Sequence, residues 1–339
     1  MHLIFKPDKC TIPSVFFENR AKQAMKRART ILIIGIFMLA GCQKALTPTS
    51  PSLIENPNFT DATISNWSPY IGVATPGGVE DTYREALTAM AQNGTLKGVR
   101  VGITKREKGG WGVYDPIIKM IGSLSPRLDM LLLIDNYYLF EPNIEQIIDE
   151  ALATYPEIKY FQIGNEITSI LPKTGPTMTI EEYMVIFKKI YDHVQKNHPG
   201  RAILLTQSPT GSGVFGGIET DKMVELGLLK MSPNNIVIGI NVYSEASISH
   251  YTHVVNGALR NYRIWVTETG TDFSDLQIDY VNRRYPELKN YLRAERIFWY
   301  TLWEGERYPA DRGFGIIKGA LEYPNYWKSP LFKLLTDRS

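Results

Sequence analysis

The stretches KYFQIGNEIT (Lys159–Thr168) and RIWVTETGTD (Arg263–Asp272) share one pattern. Each is a short aliphatic and aromatic run that stops abruptly in polar residues, Gly164-Asn165-Glu166 in the first and Thr267-Glu268-Thr269 in the second. Runs of this length and composition read as strands, and their lack of strict alternation reads as strands covered on both faces. Working outward, similar runs occur at Tyr70–Ala74, Gly98–Gly102, Met130–Asp135, Ala202–Gln207, Ile236–Tyr243 and Ile297–Trp303. Helical periodicity follows each strand in turn: Asp81–Gln92, Asp115–Ile121, Ile144–Ala153, Ile180–Asn197, Asp221–Leu229, a stretch around Tyr251–Leu259, Leu276–Tyr291 and Pro330–Leu335. Eight strands each followed by a helix predict an α/β fold, a single (β/α)8 TIM barrel. An open doubly wound sheet would give similar runs. No GxGxxG or GxxxxGK[ST] turn follows any strand, which counts against the nucleotide-binding versions of that alternative.

The chain has 339 residues, 37 Lys+Arg against 35 Asp+Glu, and 44% hydrophobic residues, values of an ordinary globular protein rather than a disordered or fibrous one. Seven of the bases, but only the acids Asp8 and Glu18, lie in residues 1–41, so the remainder is slightly acidic. It offers no basic face to displace counterions from phosphates, and a nucleic-acid partner is not expected.

From Met25 the sequence reads MKRARTILIIGIFMLAGCQK: three cations, an apolar run from Ile31 to Gly41, then Cys42. This is the order of an export signal. The run is 11 residues long. As a helix it measures about 16 Å, too short for a bilayer core of about 30 Å. Leu39-Ala40-Gly41-Cys42 resembles the lipobox of bacterial lipoproteins, which implies cleavage before Cys42, lipid on its sulfur, and a membrane anchor. Gln43 in that setting implies outer-membrane sorting where such a membrane exists, so the expected location is periplasmic or cell-surface. Residues 1–24 fit no part of a signal, and the expectation is a true start at Met25. The domain plan is then an extension (1–24), a lipoprotein signal peptide (25–41), lipidated Cys42 with a Pro/Ser/Thr-rich tether (42–62), and a catalytic domain (63–339). With Cys10 absent and Cys42 acylated, no thiol is left for disulfide, metal or nucleophilic chemistry.

In a barrel the carboxyl ends of the strands share one face, where chemistry gathers. A carboxylate directly after a buried run costs on the order of several kcal/mol of desolvation unless it is stabilised or opens on a solvent-filled cleft. Glu166 and Glu268 at two such ends suggest a pair. Paired carboxylates in unlike surroundings can divide labour, one donating a proton while the other attacks an electron-poor carbon, which is the chemistry of glycoside hydrolysis.

IGNE on the fourth strand, TETG on the seventh and a Trp on the eighth resemble the retaining glycoside hydrolases of clan A, over nearly all of Trp67–Leu335. The resemblance implies that Glu166 is the acid/base, Glu268 the nucleophile, and Asn165 a ligand of the sugar 2-hydroxyl. It further implies that Arg100 (in GVRVG) stands beside the nucleophile and that Tyr243 (in GINVY) donates to it, with Asn241 on the same side of that strand. Trp303 (in FWYTLW) is expected to floor the sugar site, whereas Trp299 is expected to be packing. Asp311–Leu335 resembles the clan's closing loop and last helix.

Further rim candidates are Trp111, Asp135, Asn136, Tyr137, Tyr138, Gln207, Ser208, Glu245, Glu304 and Glu306. The five histidines form no HExxH or HxxEH pair and no strand-end trio, so no catalytic metal and no cofactor is expected. The resulting expectation is a lipid-anchored retaining glycosidase with a carbohydrate substrate and no obligatory protein partner. The alternatives are a transglycosylase or a non-catalytic carbohydrate-binding lipoprotein on the same barrel.

Overall fold

In a computed structural model of the chain, residues 67–71, 80–103, 115–125, 127–168, 176–207, 216–303, 313–318 and 324–337 are described. They belong to one compact unit, Pro57–Ser339. The signal segment, Cys42 and the tether lie outside the described residues, as do Trp111, Ser208, Glu304 and Glu306. No helix among the described residues is long and apolar enough to cross a membrane.

Eight parallel strands close on themselves in chain order: β1 (Trp67–Ile71), β2 (Gly98–Ile103), β3 (Asp129–Ile134), β4 (Tyr160–Ile163), β5 (Ile203–Gln207), β6 (Ile236–Asn241), β7 (Arg263–Thr269) and β8 (Ala294–Trp299). The seam is made by β1 and β8, with Trp67 opposite Ile297. The expected barrel is the fold found. Helices α1 (Glu80–Gln92), α2 (Asp115–Gly122), α3 (Asn136–Leu139), α4 (Ile144–Thr154), α5 (Ile180–Asn197), α6 (Gly216–Glu225), α7 (Glu245–Asn256), α8 (Gln277–Leu292) and α9 (Pro330–Thr336) lie between and after them. A two-stranded antiparallel pair, β9 (Ile317–Lys318) and β10 (Trp327–Lys328), precedes α9.

Strand alternation separates two cores. Val99, Val101, Leu132, Ile134, Phe161, Ile163, Ile238, Ile240, Ile264 and Val266 face the helices, in a continuous buried cluster. Leu131, Leu205, Val237, Trp265 and Phe298 form a second cluster inside the barrel. Its floor is a stack of aromatic rings and guanidinium groups. Tyr160 and Trp265 are 4.7 Å apart at their centroids, and Arg296 sits 5.0 Å from the Trp265 ring. Above that floor the inward positions turn polar, and there the site begins.

Several element boundaries differ from the expected ones for identifiable reasons. The eighth strand was expected at Ile297–Trp303 but runs Ala294–Trp299. Its first residues look like loop because Glu295 and Arg296 are charged, yet they pair with Arg263 and Asp129 at the barrel floor. Trp303 therefore does not end β8; it makes an isolated parallel bridge with Ile317. The first strand begins at Trp67, ahead of the expected Tyr70. Helix α7 starts at Glu245 rather than near Tyr251 because Ser244 caps it, accepting from the Ser247 amide at 3.2 Å. Asn136–Leu139, expected as loop, is the short helix α3, started by the Asp135 side chain accepting from the Tyr137 amide. Helix α6 ends at Glu225 instead of Leu229, where Gly227 turns left-handed at φ +104°.

Candidate active site

The site grows from the way β4 ends. After Ile163 the chain kinks through Gly164 at φ +77° and Glu166 at φ +47°. The second is a conformation that a residue bearing a Cβ seldom adopts, and strain of this kind gathers at functional sites. Three contacts hold the kink. The Gly164 amide donates to Ile134 O at 2.8 Å. The Tyr183 hydroxyl, reaching over from α5, donates to Ile163 O at 2.7 Å. The Asn136 side chain grips the backbone of Asn165 from both sides, donating to its carbonyl and accepting from its amide, each at 2.7 Å. No side chain other than hydrogen fits at Gly164 without crowding, since a Cβ there would meet Ile167 Cγ2 and Leu139 Cδ1 at 3.0 Å.

The facing carboxylate is aimed by irregularities in β7. Val266 pairs with Ile240, yet Asn241 pairs with Glu268, so Thr267 is an extra residue on this side. Such bulges re-aim side chains beside active sites. Here Thr267 Oγ1 donates to Asn241 Oδ1 at 2.8 Å while Glu268 also reaches the interior network.

Arg100, fully buried on β2, is the hub of that network. Its Nε donates to Gln162 Oε1 at 2.8 Å, one terminal nitrogen to Glu268 Oε1 at 2.7 Å, and the other to Asn165 Oδ1 at 3.0 Å. The second oxygen of Glu268 accepts from the Tyr243 hydroxyl at 2.8 Å. Glu166 accepts from Asn241 Nδ2 at 3.0 Å. The structure thus brings Arg100, Asn165, Glu166, Asn241, Tyr243 and Glu268, from four strands and the residues just after them, into one hydrogen-bonded constellation. Tyr243 lies just beyond the end of β6 rather than in it.

The two carboxyl groups differ in surroundings. Burial raises the proton affinity of Glu166, the charge of Glu268 raises it further, and Asn241 and Arg100 only partly oppose them, so its pKa is pushed up to about 7. Glu268 receives an ion pair and a phenol hydrogen bond, both of which stabilise a carboxylate. Tyr243 is raised well above the ordinary phenol value, by burial first and then by the Glu268 and Glu166 charges, and stays a donor. A carboxyl that keeps its proton near neutrality beside a braced carboxylate can give a proton and a lone pair to one substrate.

The other expected residues fall in several places. Asp135 is a buried third carboxyl at the mouth, its pKa pushed up to about 6, chiefly by burial and against the Tyr137 and Asn136 amides and Arg100. Tyr137 is exposed and Tyr138 buried in the core. Trp299 is fully buried and donates to Phe314 O at 2.8 Å. Trp303 is half-buried against the sheet–helix core and shares no hydrogen bond with the carboxyl network. Glu245, at the start of α7, is mostly exposed and pairs with Arg284 of α8 at 3.3 Å.

Gln162 and the aromatic trio around Tyr243 stand outside the expected set of site residues. Gln162 accepts from Arg100 and donates to Gly164 O at 2.9 Å, tying guanidinium to kink. A lone amide inside the run YFQI was its signal, because a buried polar group must find partners. Phe314 meets Tyr243 edge-on at 5.9 Å and Tyr300 at 5.7 Å. Only the fold brings residues 243, 300 and 314 together.

No protein-family model matches the chain, and no curated protein matches it in sequence. Among solved structures it is similar to an endo-β1,6-glucanase, at 10% identity and a TM-score of 0.56, over 80% of this chain and 76% of that one. It is also similar to AbfB, a family 51 α-L-arabinofuranosidase from Bifidobacterium longum, at 10% identity and a TM-score of 0.53, over 81% and 72% of the two chains. A third is the catalytic domain of a mannanase from Streptomyces sp. SirexAA-E, at 11% identity and a TM-score of 0.52, over 79% and 82%. What the chain shares with these three is the closed parallel barrel with its coat of helices.

Proposed function

We propose that the protein is a retaining glycoside hydrolase. The observation that carries this reading is the unlike pair at the barrel mouth: Glu166, with a pKa near 7, beside Glu268, which is held by Arg100 and Tyr243. Glu268 attacks the anomeric carbon as the glycosidic C–O bond breaks, and Glu166 gives its proton to the leaving oxygen. The resulting Glu166 carboxylate then takes a proton from water, whose oxygen attacks the anomeric carbon and releases Glu268. Arg100 and Tyr243 steady the charge of the nucleophile before and after the covalent stage. Asn165, pinned by Asn136 and Arg100, is oriented for the sugar hydroxyl next to the reacting carbon, and Asn241 orients Glu166. Trp303 serves as an apolar face for the sugar ring. The three fold relatives are all named for cleaving carbohydrates, which supports a poly- or oligosaccharide substrate.

In the same reading, residues 25–41 export the protein and Cys42 carries lipid, so the domain works at a membrane surface on a tether reaching to residue 62. Intact mass of the protein extracted from membranes, after incubation with 2-deoxy-2-fluoro glycosyl fluorides, reads both parts. The expected result is diacylglycerol on an amino-terminal Cys42 and a sugar-sized increment on the peptide holding Glu268. A Glu268→Gln variant that hydrolyses an aryl glycoside as fast as the parent would sink the catalytic assignment, and an unmodified Cys42 would sink the anchor.

A further inference from the structure

Asp149 on α4 and His193 and His198 at the end of α5 converge on one point. His193 Nε2 and His198 Nε2 lie 2.7 and 2.6 Å from the same oxygen, Asp149 Oδ1. Helix α5 ends at Asn197, just before β5 begins, so the trio sits toward the amino ends of the strands, opposite the catalytic mouth. Residues five apart on a continuing helix point about 140° away from each other. His198 meets His193 only because it is the cap residue, with ψ +48°, and swings back across the helix end.

We propose that Asp149, His193 and His198 form a binding site for one divalent cation of the zinc class, which joins α4 to α5. Two imidazole nitrogens and one carboxylate oxygen are a donor set for zinc and its neighbours, whereas magnesium and calcium prefer oxygen alone. Metal–ligand bonds of about 2.0–2.1 Å in a tetrahedron hold donor atoms about 3.3 Å apart, so the two oxygen–nitrogen separations must each open by about 0.6 Å, and all three donor atoms already lie within 4.8 Å of one another. The Asp149 side chain is 42% exposed and the two histidines 15% and 19%, so side-chain rotation suffices. The exposed side also leaves a fourth position for water.

A support for the first ligand shell is in place as well. Asn197 Nδ2 lies 3.0 Å from His193 Nδ1. When Nε2 binds a metal, Nδ1 must carry the proton, and a flip of the Asn197 amide turns its oxygen toward that N–H.

The test uses the full chain without a polyhistidine tag, stripped with chelator, beside the His198→Gln and Asp149→Asn variants. Metal-free melting temperatures first establish that all three proteins are folded. The expected result is one more equivalent of Zn²⁺ bound by the parent than by either variant, and visible ligand-field bands with Co²⁺ in the parent alone. Zn²⁺ at about a hundredfold excess over its Kd should raise the parent's Tm by about 5 °C, with no rise from Mg²⁺. Every other potential ligand is common to all three proteins, so the difference isolates the trio. Equal Zn²⁺ binding by parent and variants, or the same Co²⁺ spectrum, would overturn the proposal and leave the trio a hydrogen-bonded clasp.

Discussion

Glu166 keeps its proton to near-neutral pH because it is buried beside the charge of Glu268, and that same feature costs stability. Its folded pKa of about 7 lies above the ordinary 4.5, so between those values the folded protein holds a proton that the unfolded chain has released. Stability from this group is therefore full below about pH 4.5 and is lost as pH rises through about 7. Glu166→Gln, which mimics the protonated form, should match the parent's melting temperature near pH 4.5. At pH 8 it should be more stable than the parent by about 3 kcal/mol, while losing activity. Melting curves of both proteins across that range decide the matter, and a difference independent of pH would refute the burial argument. Arg100 works the opposite way. It is buried with Glu268, and deleting it would strand a charge in the barrel interior.

At the scale of elements, the site depends on how β4 and β7 end rather than on how they run. The Gly164 kink turns Asn165 and Glu166 into the mouth, and the extra residue on β7 brings Thr267 and Glu268 both to the network. Gly164→Ala adds a Cβ at φ +77° and 3.0 Å from two side chains, so it should destabilise by about 1–3 kcal/mol and lower kcat/KM at least about tenfold. Gly94→Ala is the matched control. It has a similar φ of +67° and open space around it, so it should cost no more than about 1 kcal/mol and leave turnover intact. Full turnover in folded Gly164→Ala would show that the kink does not aim the carboxyl. Part of this was legible in the sequence: Gly164-Asn165-Glu166 after an apolar run marks a strand end opening on chemistry. The left-handed turn at Glu166 was not, because glutamate carries no local preference for it and the surrounding contacts impose it.

Across the whole molecule, closure of the barrel is locked from outside by α9. Leu331, Phe332 and Leu335 are buried, and α9 packs on α1 and α8 near the β1–β8 seam. Tyr326 and Lys328 both bond Glu85 of α1 at 2.9 Å, and Thr95 Oγ1 donates to Leu335 O at 3.1 Å. Phe332→Ala should cost about 3–5 kcal/mol, seen as a lower urea midpoint, with kcat at 25 °C unchanged in the folded fraction. A midpoint within error of the parent would mean that the last helix is dispensable to closure.

The amino-acid sequence by itself determined the alternation of eight strands with helices and the polar residues that interrupt their ends. Both are local signals, periodicity in one case and the cost of burying a charge in the other. It also marked Arg100, Asn165, Glu166, Asn241, Tyr243 and Glu268 as candidates, through a resemblance spread over the barrel. Only the tertiary structure decided where β8 begins, because Glu295 and Arg296 read as loop until Arg263 and Asp129 meet them at the floor. It alone made Gln162 the partner of Arg100, and it alone gathered Tyr243, Tyr300 and Phe314, and Asp149, His193 and His198. Those groupings join residues tens of positions apart in the chain. Their contact follows from barrel closure and helix packing, which no short window of sequence encodes.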